Sequence, residues 1–64
     1  MLAQNIKELR KKHKLSQEQL AKQAEITYST LIKIESGANK NPTLATIKKI
    51  AEAFGIGLDE LVGR

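Results

Sequence analysis

The chain contains no cysteine, which excludes disulfide staples and thiolate metal sites and fits a reducing cytoplasm. His13 is its single histidine, there is no Gly-rich phosphate loop, and the seven acidic residues are scattered without metal-ligand spacing. Neither catalysis nor a cofactor is expected. No apolar run approaches the roughly 18 residues of a membrane span, and the opening MLAQNIKELRKKHK lacks the basic-then-apolar order of a signal peptide. Period-two alternation is also missing, so no strand is predicted. The expectation is a soluble, cytoplasmic, all-α chain with no membrane partner.

What is present is short and basic. The 64 residues make one domain, 1–64, and a chain of this size buries only about 60% of the surface its unfolded form exposes. Its helices must therefore be specified by consistent local signals. The formal charge is +4, and residues 1–40 hold eight Lys and Arg against four Glu, whereas residues 41–64 hold three of each sign. A basic half on a small domain points to a polyanionic partner, nucleic acid above all and an anionic membrane surface second.

Five short helices follow from spacing and end signals. Leu2, Ile6, Leu9 and His13 form one helical stripe, which predicts a first helix to about Lys14 with His13 as a packing residue. Ser16 opens a capping box with Gln19, and Leu20, Ala21 and Ala24 form the inner face behind it. Thr27 caps a third helix that Gly37 ends, Thr43 caps a fourth that Gly55 ends, and LDELV after Gly57 makes a fifth. The predicted core is Ile6, Leu9, Leu15, Leu20, Ala24, Ile26, Leu31, Ile34, Leu44, Ile47, Ile50, Phe54, Leu58 and Leu61.

The third helix, TYSTLIKIESG, has two faces. At about 100° per residue, with Tyr28 at zero, Thr27, Thr30, Leu31, Ile34 and Glu35 fall on an arc of roughly 200° to 340°. Tyr28, Ser29, Ile32, Lys33 and Ser36 fall between roughly 0° and 140°. The first arc reads as a core face. The second carries a ring and an Ile one turn apart among small hydroxyls and a Lys, which suits contact with another molecule. Its bland alternative is an i,i+4 apolar pair that stabilises the helix.

Only the few residues around AEIT join the second helix to the third, which forces a sharp reversal. With SQEQLA, STLIKIESG and NPTLATIKKIA in register over roughly residues 4–62, the chain resembles the helix-turn-helix family of phage repressors and Cro proteins, the XRE family. The resemblance implies a lambda-repressor-like bundle of five helices with a helix-turn-helix at about residues 16–36. It also implies a regulator of transcription, a repressor by expectation, that binds double-stranded DNA, with a homodimer on a palindromic operator. Small domains of this kind also act as antitoxins or adaptors, so a protein partner remains the alternative.

By the same resemblance Thr27, Tyr28, Ser29 and Lys33, with Ile32 between them, fall at base-reading positions. Lys33 can donate to guanine O6 and N7, Ser29 can serve a base or a phosphate, and Ile32 and the Thr27 methyl can pack on thymine methyl groups. Gln17, at the first turn of the second helix, is expected at the DNA backbone, with Asn39 and Lys40 from the loop after the third helix. For the loop residues, ordinary loop polarity is the competing reading. Arg10 lies at the edge of the first helix's apolar stripe, and Glu35 lies on the inner arc; the resemblance implies that they pair, tying the first helix to the third. Leu58, Leu61 and Val62 are the expected dimer surface, a core role being the alternative. Two positions depart from the family pattern, Lys14 and Glu25, where glycine is common. A positive φ at either would cost on the order of 1 kcal/mol.

Overall fold

A computed structural model describes residues 2–63. The helices are α1 (Leu2–Lys12), α2 (Gln17–Ala24), α3 (Tyr28–Ser36), α4 (Leu44–Phe54) and α5 (Leu58–Leu61). Among the described residues there is no strand. Helices of four to eleven residues are marginal alone, and each is held by defined ends. Ser16 accepts from Gln19 N while Gln19 Oε1 accepts from Ser16 N, completing the capping box. Thr27 and Thr43 accept from the backbone N–H three residues on, as N-caps do. Gly57 has no side chain to do so; instead its own N–H donates to Glu60 Oε1 at 3.1 Å.

Three of the four joints between helices share one construction. At α1–α2, Leu15 N donates to Arg10 O and Lys14 N to Lys11 O. At α2–α3, Ile26 N donates to Ala21 O and Glu25 N to Lys22 O; at α4–α5, Ile56 N donates to Ala51 O and Gly55 N to Glu52 O. Each pair closes the preceding helix through a left-handed residue: Lys14 at φ 58°, Glu25 at 59° and Gly55 at 71°. An aliphatic residue follows, Leu15, Ile26 or Ile56, and packs against the core. The next residue, Ser16, Thr27 or Gly57, is the N-cap of the following helix. A reversal of three residues therefore ends one helix, plugs the core and starts another.

The closure at Lys14 also explains why α1 ends at Lys12 rather than near Lys14. His13 is correspondingly outside the helix and exposed; its ring rests on Phe54 with centroids 5.2 Å apart, so it covers the core rather than extending α1's inner stripe.

The core consists of Ile6, Leu20, Ala21, Ala24, Leu31, Ile34, Ile50, Ala51, Phe54 and Leu61, with Leu2, Leu9, Leu15, Ile26, Ile47, Ala53, Ile56 and Leu58 partly buried around it. Leu44 does not belong to it: it is 66% exposed. As the first residue of α4 its side chain leans toward the helix N-terminus, past the last layer of the core. α1 packs on α3 and α5, α2 on α3 and α4, and α4 on α5. Asn5 Nδ2 adds a bond to the Leu61 carbonyl at 3.1 Å, tying the two ends of the chain together.

Candidate nucleic-acid interface

Between α2 and α3 only Glu25, Ile26 and Thr27 intervene. Both ends of this turn are fixed, at Glu25 by its left-handed backbone and at Thr27 by its cap. Thr27 Oγ1 accepts from Thr30 N at 3.1 Å and donates to Thr30 Oγ1 at 2.7 Å. The start of α3 is therefore locked onto its own first turn.

From Leu31 onward α3 divides as its angular pattern predicts; of the inner arc's first two residues, Thr30 is half-buried and Thr27 is exposed, because as the extended N-cap it stands outside the helical spacing. Leu31, Ile34 and Glu35 are buried, whereas Ser29, Lys33 and Ser36 are exposed, Tyr28 is 48% exposed and Ile32 is half-buried. Ser36 Oγ is used locally, donating to Lys33 O and accepting from Ala38 N. The outward face thus offers a phenol, a primary hydroxyl, an aliphatic surface and an ammonium group, all on a helix whose inner side is immobilised.

That immobilisation has an unusual centre. Glu35, 3% exposed, is the only buried charged residue among those described. Its Oε2 accepts from Arg10 Nε at 3.0 Å and its Oε1 from Arg10 Nη2 at 3.2 Å, the forked geometry that matches guanidinium to carboxylate. Arg10 Nη1 donates to the Leu15 carbonyl at 3.1 Å, and Gln17 Nε2 reaches Glu35 Oε1 at 3.1 Å. A buried carboxylate is tolerable only when paired and hydrogen-bonded, and among the described residues no buried side-chain polar atom lacks a partner. The network joins α1, the α1–α2 joint and α2 to one residue of α3, which fixes the rotation of that helix and hence the direction of its outward face.

Gln17 is the residue whose surroundings the sequence did not reveal. One of its amide hydrogens goes to Glu35. Ser16 N and Gln19 N are taken by the capping box, and the backbone N–H groups of Gln17 and Glu18 stand in the first turn of α2, at the positive end of the helix dipole. In the loop after α3, Asn39 N donates to Lys33 O at 2.9 Å and Asn39 Oδ1 accepts from Asn41 N at 3.1 Å. These bonds hold the loop and leave Lys40 exposed between them.

The C-terminal surface needs one correction. Leu61 is fully buried in the core and Leu58 is half-buried against it, so Val62, 41% exposed, is the main apolar side chain left outside. The reason is that α5 caps the bottom of the bundle and spends its leucines on that task.

A helix-turn-helix family model matches residues 6–61, which includes the whole of α2, its turn and α3. The chain belongs to the XRE family of helix-turn-helix proteins. Among curated relatives, it is 42% identical over 62 residues to an immunity repressor protein of Bacillus phage phi105, covering 97% of this chain and 42% of that one. It is 39% identical over 59 residues to an uncharacterized HTH-type transcriptional regulator, RghRB, of Bacillus subtilis (strain 168), covering 92% of this chain and 42% of the relative. A Coxiella burnetii HTH-type transcriptional regulator, also uncharacterized, is 34% identical over 62 residues, which is 97% of this chain and 29% of its own. The chain thus spans less than half the length of each of these relatives. Among the described residues no helix is long and apolar enough to cross a membrane, and no three His, Asp or Glu side chains are grouped as a metal site.

Proposed function

We propose that this protein is a sequence-specific transcriptional regulator, a repressor, that binds double-stranded DNA in the cytoplasm and reads the major groove with α3. The observation that carries the reading is the division of α3 itself. A buried, fully bonded inner side anchored by Glu35 supports an outer side on which Tyr28, Ser29 and Lys33 are exposed. A reading helix must present side chains from its N-terminal half while the preceding helix crosses the backbone, and the short turn from Glu25 to Thr27 supports that reading. Gln17, Asn39 and Lys40 are assigned to phosphates, which fix position without specifying sequence.

One such domain covers one half-site. A homodimer on a palindromic operator would place two α3 helices about 34 Å apart, with Val62 and the exposed edge of Leu58 as the apolar part of the contact.

The competing reading is a protein partner on the same face, favoured by the exposed ring of Tyr28 beside Ile32. Binding to a randomised duplex pool across salt concentrations, with Lys33→Ala and Ile32→Ala alongside, separates the two. A DNA reader selects a palindrome, shows a steep negative log–log salt slope, and changes its preferred sequence in both variants. Weak binding indifferent to both substitutions would assign the face to a protein.

A further inference from the structure

The residues of α3 also limit how a base can be read. Adenine is gripped in two places by Asn or Gln, and guanine by Arg or Lys. YSTLIKIES contains no Asn, Gln or Arg, so no side chain of α3 can form the two-point contact to adenine. The loop asparagines stand apart from it: both lie beyond the C-terminal end of α3, away from the N-terminal half of a reading helix that meets base edges, and Asn39 Oδ1 also accepts from Asn41 N. Thr27 is similarly restricted. Its hydroxyl gives its only hydrogen to Thr30 Oγ1 and accepts from Thr30 N, which leaves it no proton for a base acceptor and, for DNA, its γ-methyl and one acceptor lone pair. Ile32, one turn after Tyr28 on the outer arc, contributes only aliphatic surface.

We propose that α3 recognises A·T pairs from the thymine side, by packing thymine C5-methyl groups against Ile32 and the Thr27 methyl, with Lys33 on a guanine as the principal polar base contact. This rests on α3 being the reading helix. The Thr27 methyl stands at the entry to the helix and Ile32 more than a turn further along, so the methyl-read thymines occupy separate positions in the half-site. Ser29 and the Tyr28 hydroxyl each offer a single rotatable donor, which serves a phosphate as well as a base.

The test starts from the duplex selected by the unmodified protein. Each thymine is replaced in turn by deoxyuridine, which removes the methyl and leaves every hydrogen-bonding group in place. Each adenine is replaced separately by 7-deazaadenine, which removes the N7 acceptor. At one or more thymines, deoxyuridine should weaken binding about fourfold, the worth of one buried methyl group, while 7-deazaadenine has less effect at every adenine. In Ile32→Ala the ratio of thymine to deoxyuridine affinity should fall to within about twofold at the thymine facing Ile32. Because that ratio is taken within one variant, a loss of stability cancels. Selective binding insensitive to deoxyuridine at every position, or more sensitive to 7-deazaadenine, overturns the proposal while leaving α3 as the reader. Failure to select any sequence overturns the DNA reading itself.

Discussion

The Gln17 amide donates to Glu35 Oε1 at 3.1 Å, linking the first residue of α2 to the penultimate residue of α3 across the helix-turn-helix. The same oxygen accepts from Arg10 Nη2, so one carboxylate sets the relation of three helices. In this arrangement the N-terminal end of α2 and the inner side of α3 are mechanically one piece.

Glu35→Ala should cost about 3 kcal/mol, the low end for breaking a buried pair, because Arg10 keeps 18% side-chain exposure and some access to water. Gln17→Ala should cost about 1 kcal/mol in the unmodified protein and much less in the Glu35→Ala background. Urea unfolding of the two single variants and the double variant measures both. A loss within about 0.5 kcal/mol for Glu35→Ala would mean that the pair behaves as a surface one.

Glu25 at φ 59° and Lys14 at 58° occupy backbone that a side chain disfavours by about 1 kcal/mol or more. Glu25→Gly should therefore stabilise by about 1 kcal/mol, raising the melting temperature by roughly 4–8 °C in a domain this small. Gly55→Ala is the control. A Cβ there meets nothing within 4 Å, so its loss of about 1 kcal/mol would come from the backbone alone. An unchanged or lower melting temperature for Glu25→Gly would count against a left-handed turn.

Leu44 and Ile50 lie on one helix, one 66% exposed and the other fully buried. Leu44→Ala should change stability by no more than about 0.5 kcal/mol, whereas Ile50→Ala should cost about 2–5 kcal/mol. Thermal melts of both variants check this, and similar losses would put Leu44 inside the core.

Lys40→Ala should weaken DNA binding by a similar factor on every sequence and make the log–log salt slope shallower by about 0.9, the value for one phosphate contact. Titrations on the selected duplex and on an unrelated one, each at several salt concentrations, give both quantities. A sequence-dependent loss would mean that Lys40 reads bases.

Helix ends were legible because Ser16, Thr27, Thr43, Gly37 and Gly55 carry their own capping chemistry. The two faces of α3 were legible because residue spacing alone determines them. Three features were not. The end of α1 depends on Lys14 taking a conformation usually left to glycine, so the stripe that reached His13 gave no sign of a stop. Leu44 has the right residue type and spacing for a core position but stands at the rim, where no layer covers it. Gln17 meets Glu35 across 18 positions of sequence, a separation at which no local pattern carries information. Leu61 was ambiguous for a related reason: whether an apolar residue on a four-residue helix faces in or out depends on how that helix docks.

The separation of α3 into an inner and an outer side also separates its residues by what a substitution would disturb. Tyr28, Ser29 and Lys33 make no side-chain hydrogen bond to the framework among the described residues, whereas every group that orients the helix lies on the opposite side. Exchanging those three residues therefore leaves the contacts that set the direction of the helix in place. Ile32, half-buried, is the exception, since it contributes to both. Of these four outward side chains, three can be exchanged without disturbing the packing beneath them and the fourth cannot.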